Sequence, residues 1–98
     1  MAQSLIDYYK AIEDGSLRML DAARAEDWDA VVRFEGACAV LIEQLRVLAQ
    51  SQQLDEAARA EKSRIMLRIL SNDAQIRYLA EPWLEHCEAK FEHRGLLH

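Results

Sequence analysis

The side chains that could hold a metal or move a proton gather near the two ends of this 98-residue chain. Toward the C-terminus stand His86, Cys87 and His93. On a helix His86 and His93 share a face, but Cys87 points about 100° away from His86. A closed zinc site takes four ligands, so these read as surface histidines and no metal is expected. Toward the N-terminus Asp7, Glu13, Asp14, Asp21, Glu26, Asp27 and Asp29 make an acidic first third. Paired carboxylates do acid–base work when burial and neighbours push their pKa values apart. Nothing in this pattern buries them, and they read as a solvated face. Cys38 and Cys87 both fall on apolar helical faces, as buried thiols do in a reducing compartment. There is no glycine-rich phosphate loop, GxSxG, CxxC or HExxH motif, and no cofactor is expected.

A small helical enzyme is the natural rival among chains of this length. All-helical chorismate mutases need several Arg and Lys converging on a dicarboxylate. Arg18 and Arg24 have no matching inward-facing set of cations here. The chain is therefore not expected to be an enzyme.

Composition narrows the remaining classes. Hydrophobic residues make up 51% and charged residues 30% of the chain, which suits one soluble folded domain spanning residues 1–98. One Pro and three Gly leave few turns, so the helices must be long. The net charge of -5, with no basic block, argues against nucleic acid as a direct partner. No apolar run reaches the roughly 18 residues of a membrane span. The first residues, MAQSLIDYYKAIED, lack a signal-peptide core. The reading is a cytoplasmic protein without membrane insertion.

Three segments position these residues. The first runs from about Ser4 to Ala25, with Leu5, Tyr8, Tyr9, Ile12, Ser16, Met19, Leu20 and Ala23 on its inner face. Ser4 and Asp7 resemble a helix start, although a capping box usually has Glu or Gln at the fourth position. Gly15 lies inside the pattern. It marks a close helix contact or a bend, or is simply tolerated. Asp27 is placed to cap a second segment, about Trp28 to Gln50, with Trp28 as packing at the corner. Val31, Phe34, Cys38, Leu41, Leu45 and Leu48 step by three and four, the seam of a helical bundle. A short polar connector, about Ser51 to Leu54, leads to Asp55, the cap of the third segment. Short connections favour antiparallel neighbours. The fold class is all-α: an antiparallel bundle of three main helices. Its third helix is long and contains Pro82, which kinks it near Tyr78–Glu81 or stops and restarts it. The apolar stripe continues in phase through Trp83 and Cys87, which favours the kink. After about Lys90 a short C-terminal tail follows.

The third segment is the one around which the rest is expected to organise. Ile65, Ile69, Ile76, Leu79, Trp83 and Cys87 return to one face. Met66, Leu70 and Leu84 form a second row beside them, and Leu67, Ala74 and Tyr78 carry the apolar surface further round. A surface helix usually shows one apolar stripe of roughly 100°, and the first half of this one shows about twice that. Val32, Val40 and Val47 likewise lie off the seam of the second helix. Asn72 sits at the edge of the inner stripe, where it sets register, meets solvent or bonds a partner. One side of the third helix can face the chain; the other needs a second partner.

Two stretches resemble the flagellar export chaperone FliT family. The first is Glu26-Asp27-Trp28-Asp29, followed by Glu35 and Leu41-Ile42-Glu43-Gln44-Leu45; it is similar to the family's tryptophan-led second helix. The second is Ile69-Leu70-Ser71-Asn72-Asp73-Ala74-Gln75-Ile76-Arg77, then Leu79 and Pro82-Trp83-Leu84, similar to its long third helix. The resemblance covers most of residues 5–91. It implies a cytoplasmic chaperone that holds the filament-cap subunit by its C-terminal segment in an apolar groove and passes it to the export ATPase and export gate. In some bacteria members also bind the flagellar master transcription regulator. Some members close the groove with a short fourth helix. Only seven residues follow Phe91 here, too few for such a helix, so that lid is not expected unless the sequence is a shortened one.

The residues expected to meet the client are Met66, Leu67, Leu70, Asn72, Ala74, Tyr78, Leu84, Val40 and Val47. The competing use of the same surface is a homodimer seam in a structural protein without a client.

Overall fold

The chain's structure is a computed structural model that describes residues 4–93, with side chains for residues 4–82. Three helices make up the fold: α1 (Leu5–Arg24), α2 (Trp28–Ala49) and α3 (Glu56–His93). No strand occurs among the described residues, so the all-α bundle of three main helices holds.

Local chemistry places the boundaries. Ser4 accepts a bond from the Asp7 backbone N–H at 3.3 Å, and the Ser4 N–H donates to Asp7 Oδ2 at 3.1 Å. That is a complete capping box with Asp in the usual Glu position. Asp27 Oδ1 accepts from the Ala30 N–H at 3.1 Å and Asp55 Oδ1 from the Ala58 N–H at 2.7 Å, each satisfying an orphan donor of a first turn. The α1–α2 corner is a Schellman turn. The Asp27 N–H reaches Ala22 O at 2.9 Å and the Glu26 N–H reaches Ala23 O at 3.0 Å. Glu26 carries the positive φ of 58° that this turn demands. α3 runs unbroken past Pro82, which lies inside it. The helix therefore does not stop and restart at the proline.

The centre of the bundle is α1, not the third helix. α1 packs along both α2 and α3, whereas α2 and α3 do not approach each other comparably among the described residues. The short connector makes α2 and α3 antiparallel without making them close neighbours. α1 and α2 are antiparallel, with Gly15 against Cys38 and Tyr8 beside Leu48. α1 and α3 are parallel. Their side-chain links rise in step: Lys10–Glu61 at 3.4 Å, Glu13–Arg68 at 3.0 Å, Ser16–Asn72 at 3.0 Å and Arg24–Gln75 at 3.2 Å. α3 then continues beyond the end of α1.

The inner face read for α1 is the core. Leu5, Ile12, Ser16, Leu20 and Ala23 are buried, and Tyr8, Tyr9 and Met19 are half-buried. Leu20 and Ala23 meet Val31 of α2 and Ile76 of α3, with Met19, Trp28 and Leu79 packed around them. Trp28 is thus corner packing. The buried Ser16 hydroxyl donates to Glu13 O at 2.8 Å and accepts from Asn72 Nδ2, so this polar contact inside the interface is satisfied. Gly15 is a close helix contact: a Cβ there would lie 2.8 Å from Cys38 Sγ. Cys38 is a free, buried thiol, and burial pushes its pKa up.

Candidate functional site

The geometry of α3 follows from where its buried residues point. At 100° per residue, Ile65, Ile69, Asn72, Ile76 and Leu79 occupy an arc of about 80° facing α1. Leu67, Leu70, Ala74 and Tyr78 occupy an arc of about 80° on the opposite side. They step by three, four and four residues, so they form one continuous stripe along the helix. Leu67 is 68%, Leu70 57% and Tyr78 77% exposed, and Ala74 is exposed as well. Each large side chain in the stripe leaves most of its apolar surface in water. A second helix laid along it would remove that surface at about 25 cal/mol per Å².

The other expected residues divide. Met66 is half-buried, on the shoulder between the two arcs. Asn72 turns inward, and its amide is engaged with Ser16 across the α1–α3 interface, the register role among those open to it. Val40 and Val47 are 58% and 61% exposed. They lie about 160–180° round α2 from the buried Cys38, off the face that Cys38 turns to α1. Leu84 falls outside the residues whose side chains are described, as do Trp83, His86, Cys87 and His93. The structure thus brings Leu67, Leu70, Ala74 and Tyr78 together. It puts Val40 and Val47 on the surface of a different helix.

Shallow depressions border the stripe. Ala74 and Tyr78 line one of about 380 Å³ with Arg24 and Leu79, and Tyr78 also borders one with Glu26 and Pro82. Val47 lines a separate depression with Tyr8 and Leu48. The α1 residue Arg24 joins this surface unforeseen. A helix wheel shows which residues share a face but not which neighbouring helix supplies the rim.

The electrostatics are those of a solvated surface. The acidic residues of the first third are exposed except Glu13, which is half-buried and paired with Arg68. Arg77 pairs with Asp73 at 2.9 Å and Arg18 with Asp14 at 2.9 Å, each one turn apart. Exposed pairs of this kind contribute roughly 0–1 kcal/mol. Among the described residues no three potential metal ligands converge, and no helix is long and apolar enough to cross a membrane. The arrangement leaves one continuous apolar strip exposed on α3.

The family model of flagellar protein FliT matches residues 6–93. The chain belongs to the FliT family. A crystal structure of flagellar protein FliT from Bordetella bronchiseptica is similar to it with a TM-score of 0.75 and 38% sequence identity, covering 88% of this chain and 98% of that one. Comparison with curated proteins returns no match. FliT proteins are flagellar export chaperones, so binding of export-related partners goes with membership. The resemblance read from the tryptophan-led second helix and the long third helix therefore stands.

Proposed function

We propose that this FliT protein works in the cytoplasm by holding the C-terminal segment of the filament-cap subunit against the outward face of α3. Leu67, Leu70, Ala74 and Tyr78 form the contact strip, with Met66 on its shoulder. The observation that carries this reading is the exposure of a continuous apolar stripe directly opposite the face that α3 uses to pack on α1. A helix-in-groove mode suits it, because a client helix with apolar residues at steps of three and four matches the stripe's own spacing. Contiguous exposed apolar surface on a small soluble protein is a recognised mark of an interaction site. The held subunit is handed to the export ATPase and export gate. Val40 and Val47 on α2 offer those later partners, or the flagellar master transcription regulator, a surface separate from the client's.

Titration calorimetry with the cap subunit's C-terminal segment tests the reading. Leu70→Glu leaves folding nearly untouched, because the side chain is exposed. It should weaken binding by at least about 2 kcal/mol, some thirtyfold. Unchanged affinity in Leu70→Glu and Tyr78→Ala would remove the assignment. A dimer that buries the stripe and ignores the cap subunit, seen by sedimentation, would favour the structural-homodimer reading instead.

A further inference from the structure

At the end of the bundle, where α1 starts and the connector hands over to α3, the surface sinks into a depression of about 330 Å³. Leu5, Tyr9 and Leu54 give it apolar walls, and Gln52, Arg59 and Lys62 give it polar ones. Its lining holds two cations and no carboxylate, although the chain as a whole carries a net charge of -5. Six other cations, Lys10, Arg18, Arg24, Arg46, Arg68 and Arg77, each have a carboxylate within 4.0 Å. Among the described residues Arg33, Arg59, Lys62 and Arg64 have none, and of these four Arg59 and Lys62 line the depression. Asp55 beside them is committed to the Ala58 N–H, and Glu61 to Lys10. The Lys62 ammonium lies over the Tyr9 ring, 5.5 Å from its centroid, which places its charge beside the apolar wall. Two unpaired cations next to an apolar pocket are complementary to a chain terminus: a carboxylate together with the side chain of the last residue.

This depression lies at the N-terminal end of the same helix that carries the stripe. Arg59 is 19 residues before Tyr78, roughly 28 Å along the axis, and its azimuth is within about 20° of that of Leu70. We infer that the client's terminal α-carboxylate docks between Arg59 and Lys62, its last apolar side chain against Leu5, Tyr9 and Leu54, so that the client helix runs antiparallel to α3. The inference rests on the client reading above and adds to it a direction and an end point. The direction follows from charge alone: the opposite orientation would set the client's carboxylate near Glu81, which is exposed at the far end of the stripe.

The test compares two synthetic peptides of the cap subunit's C-terminal segment, one ending in the free acid and one in the amide, titrated into the full chain. The free acid should bind about three- to tenfold more tightly at low salt, as expected for an exposed carboxylate facing two cations, and the difference should shrink as ionic strength rises. The double variant Arg59→Gln/Lys62→Gln should bind acid and amide equally while keeping its affinity for the amide. Equal binding of acid and amide by the unmodified chain overturns the inference and leaves the client reading intact. A loss of affinity for both peptides in the double variant also overturns it, because the cations would then serve another acidic group. If neither peptide binds at all, the client reading fails and this inference falls with it.

Discussion

Replacing Gly15 by Ala tests the α1–α2 packing that leaves α3 free on its outer side. Two opposing terms decide the outcome. Alanine in a helix interior is favoured over glycine by about 1 kcal/mol. The new Cβ, however, would sit 2.8 Å from Cys38 Sγ, closer than real side chains approach. The sulfur cannot swing far, since it is one bond from its own Cβ, is buried, and faces the Ile12 carbonyl at 4.0 Å. The helices must part by a few tenths of an ångström, and such overpacking costs about 1–3 kcal/mol. Gly15→Ala should therefore destabilise the fold by about 1 kcal/mol, a fall in Tm of about 4–8 °C for a domain of this size. In a Cys38→Ala background the sulfur is gone and the same change should stabilise by about 1 kcal/mol. The coupling is then about 2 kcal/mol, read from urea denaturation of the four proteins followed by helix circular dichroism. Stabilisation by Gly15→Ala in the unmodified chain, with no coupling to Cys38, would refute the close approach of α1 and α2 at this point.

Other consequences follow from single contacts. Glu26→Gly should stabilise by about 0.5–1 kcal/mol in urea titration, because the positive φ there strains any side chain but glycine. Asp27→Ala should cost about 1 kcal/mol by the same measurement, through loss of the α2 cap. Ser16→Ala, which leaves the Asn72 amide without its interhelical acceptor, should cost about 0.5–1.5 kcal/mol. Asn72→Ala in that background should add little. The raised Cys38 pKa adds stability that is present below the ordinary thiol value of 9.0 and is lost as pH rises through the folded value. The fall in stability above pH 9 should be shallower in Cys38→Ala.

Much of the fold was legible because it is local. Ser4, Asp27 and Asp55 announce their helices by side-chain bonds that span three residues, and the inner face of α1 follows from a 3.6-residue period. The arrangement in space was less so. The wheel gives α3 two apolar faces but does not say which neighbour covers which, so the central role of α1 came only with the coordinates. Asn72 finds its partner 56 residues away in Ser16, a pairing that no local pattern encodes. For Gly15 the sequence leaves a close contact, a bend and simple tolerance open, because the Cys38 sulfur that decides it belongs to another helix. The candidate strip divides in the same way. Leu67, Leu70, Ala74 and Tyr78 share a face by spacing alone. The separation of Val40 and Val47 from them depends on α2 and α3 lying on different sides of α1.

The most direct measurement is a backbone amide NMR titration of the isotopically labelled chain with the cap subunit's C-terminal segment. The account predicts that the largest shift changes fall at Leu67, Leu70, Ala74 and Tyr78, with the α1-facing residues Ile65 and Ile76 nearly unmoved. Changes concentrated on α2, or a rearranged α1–α3 interface with the outer face of α3 silent, would contradict it.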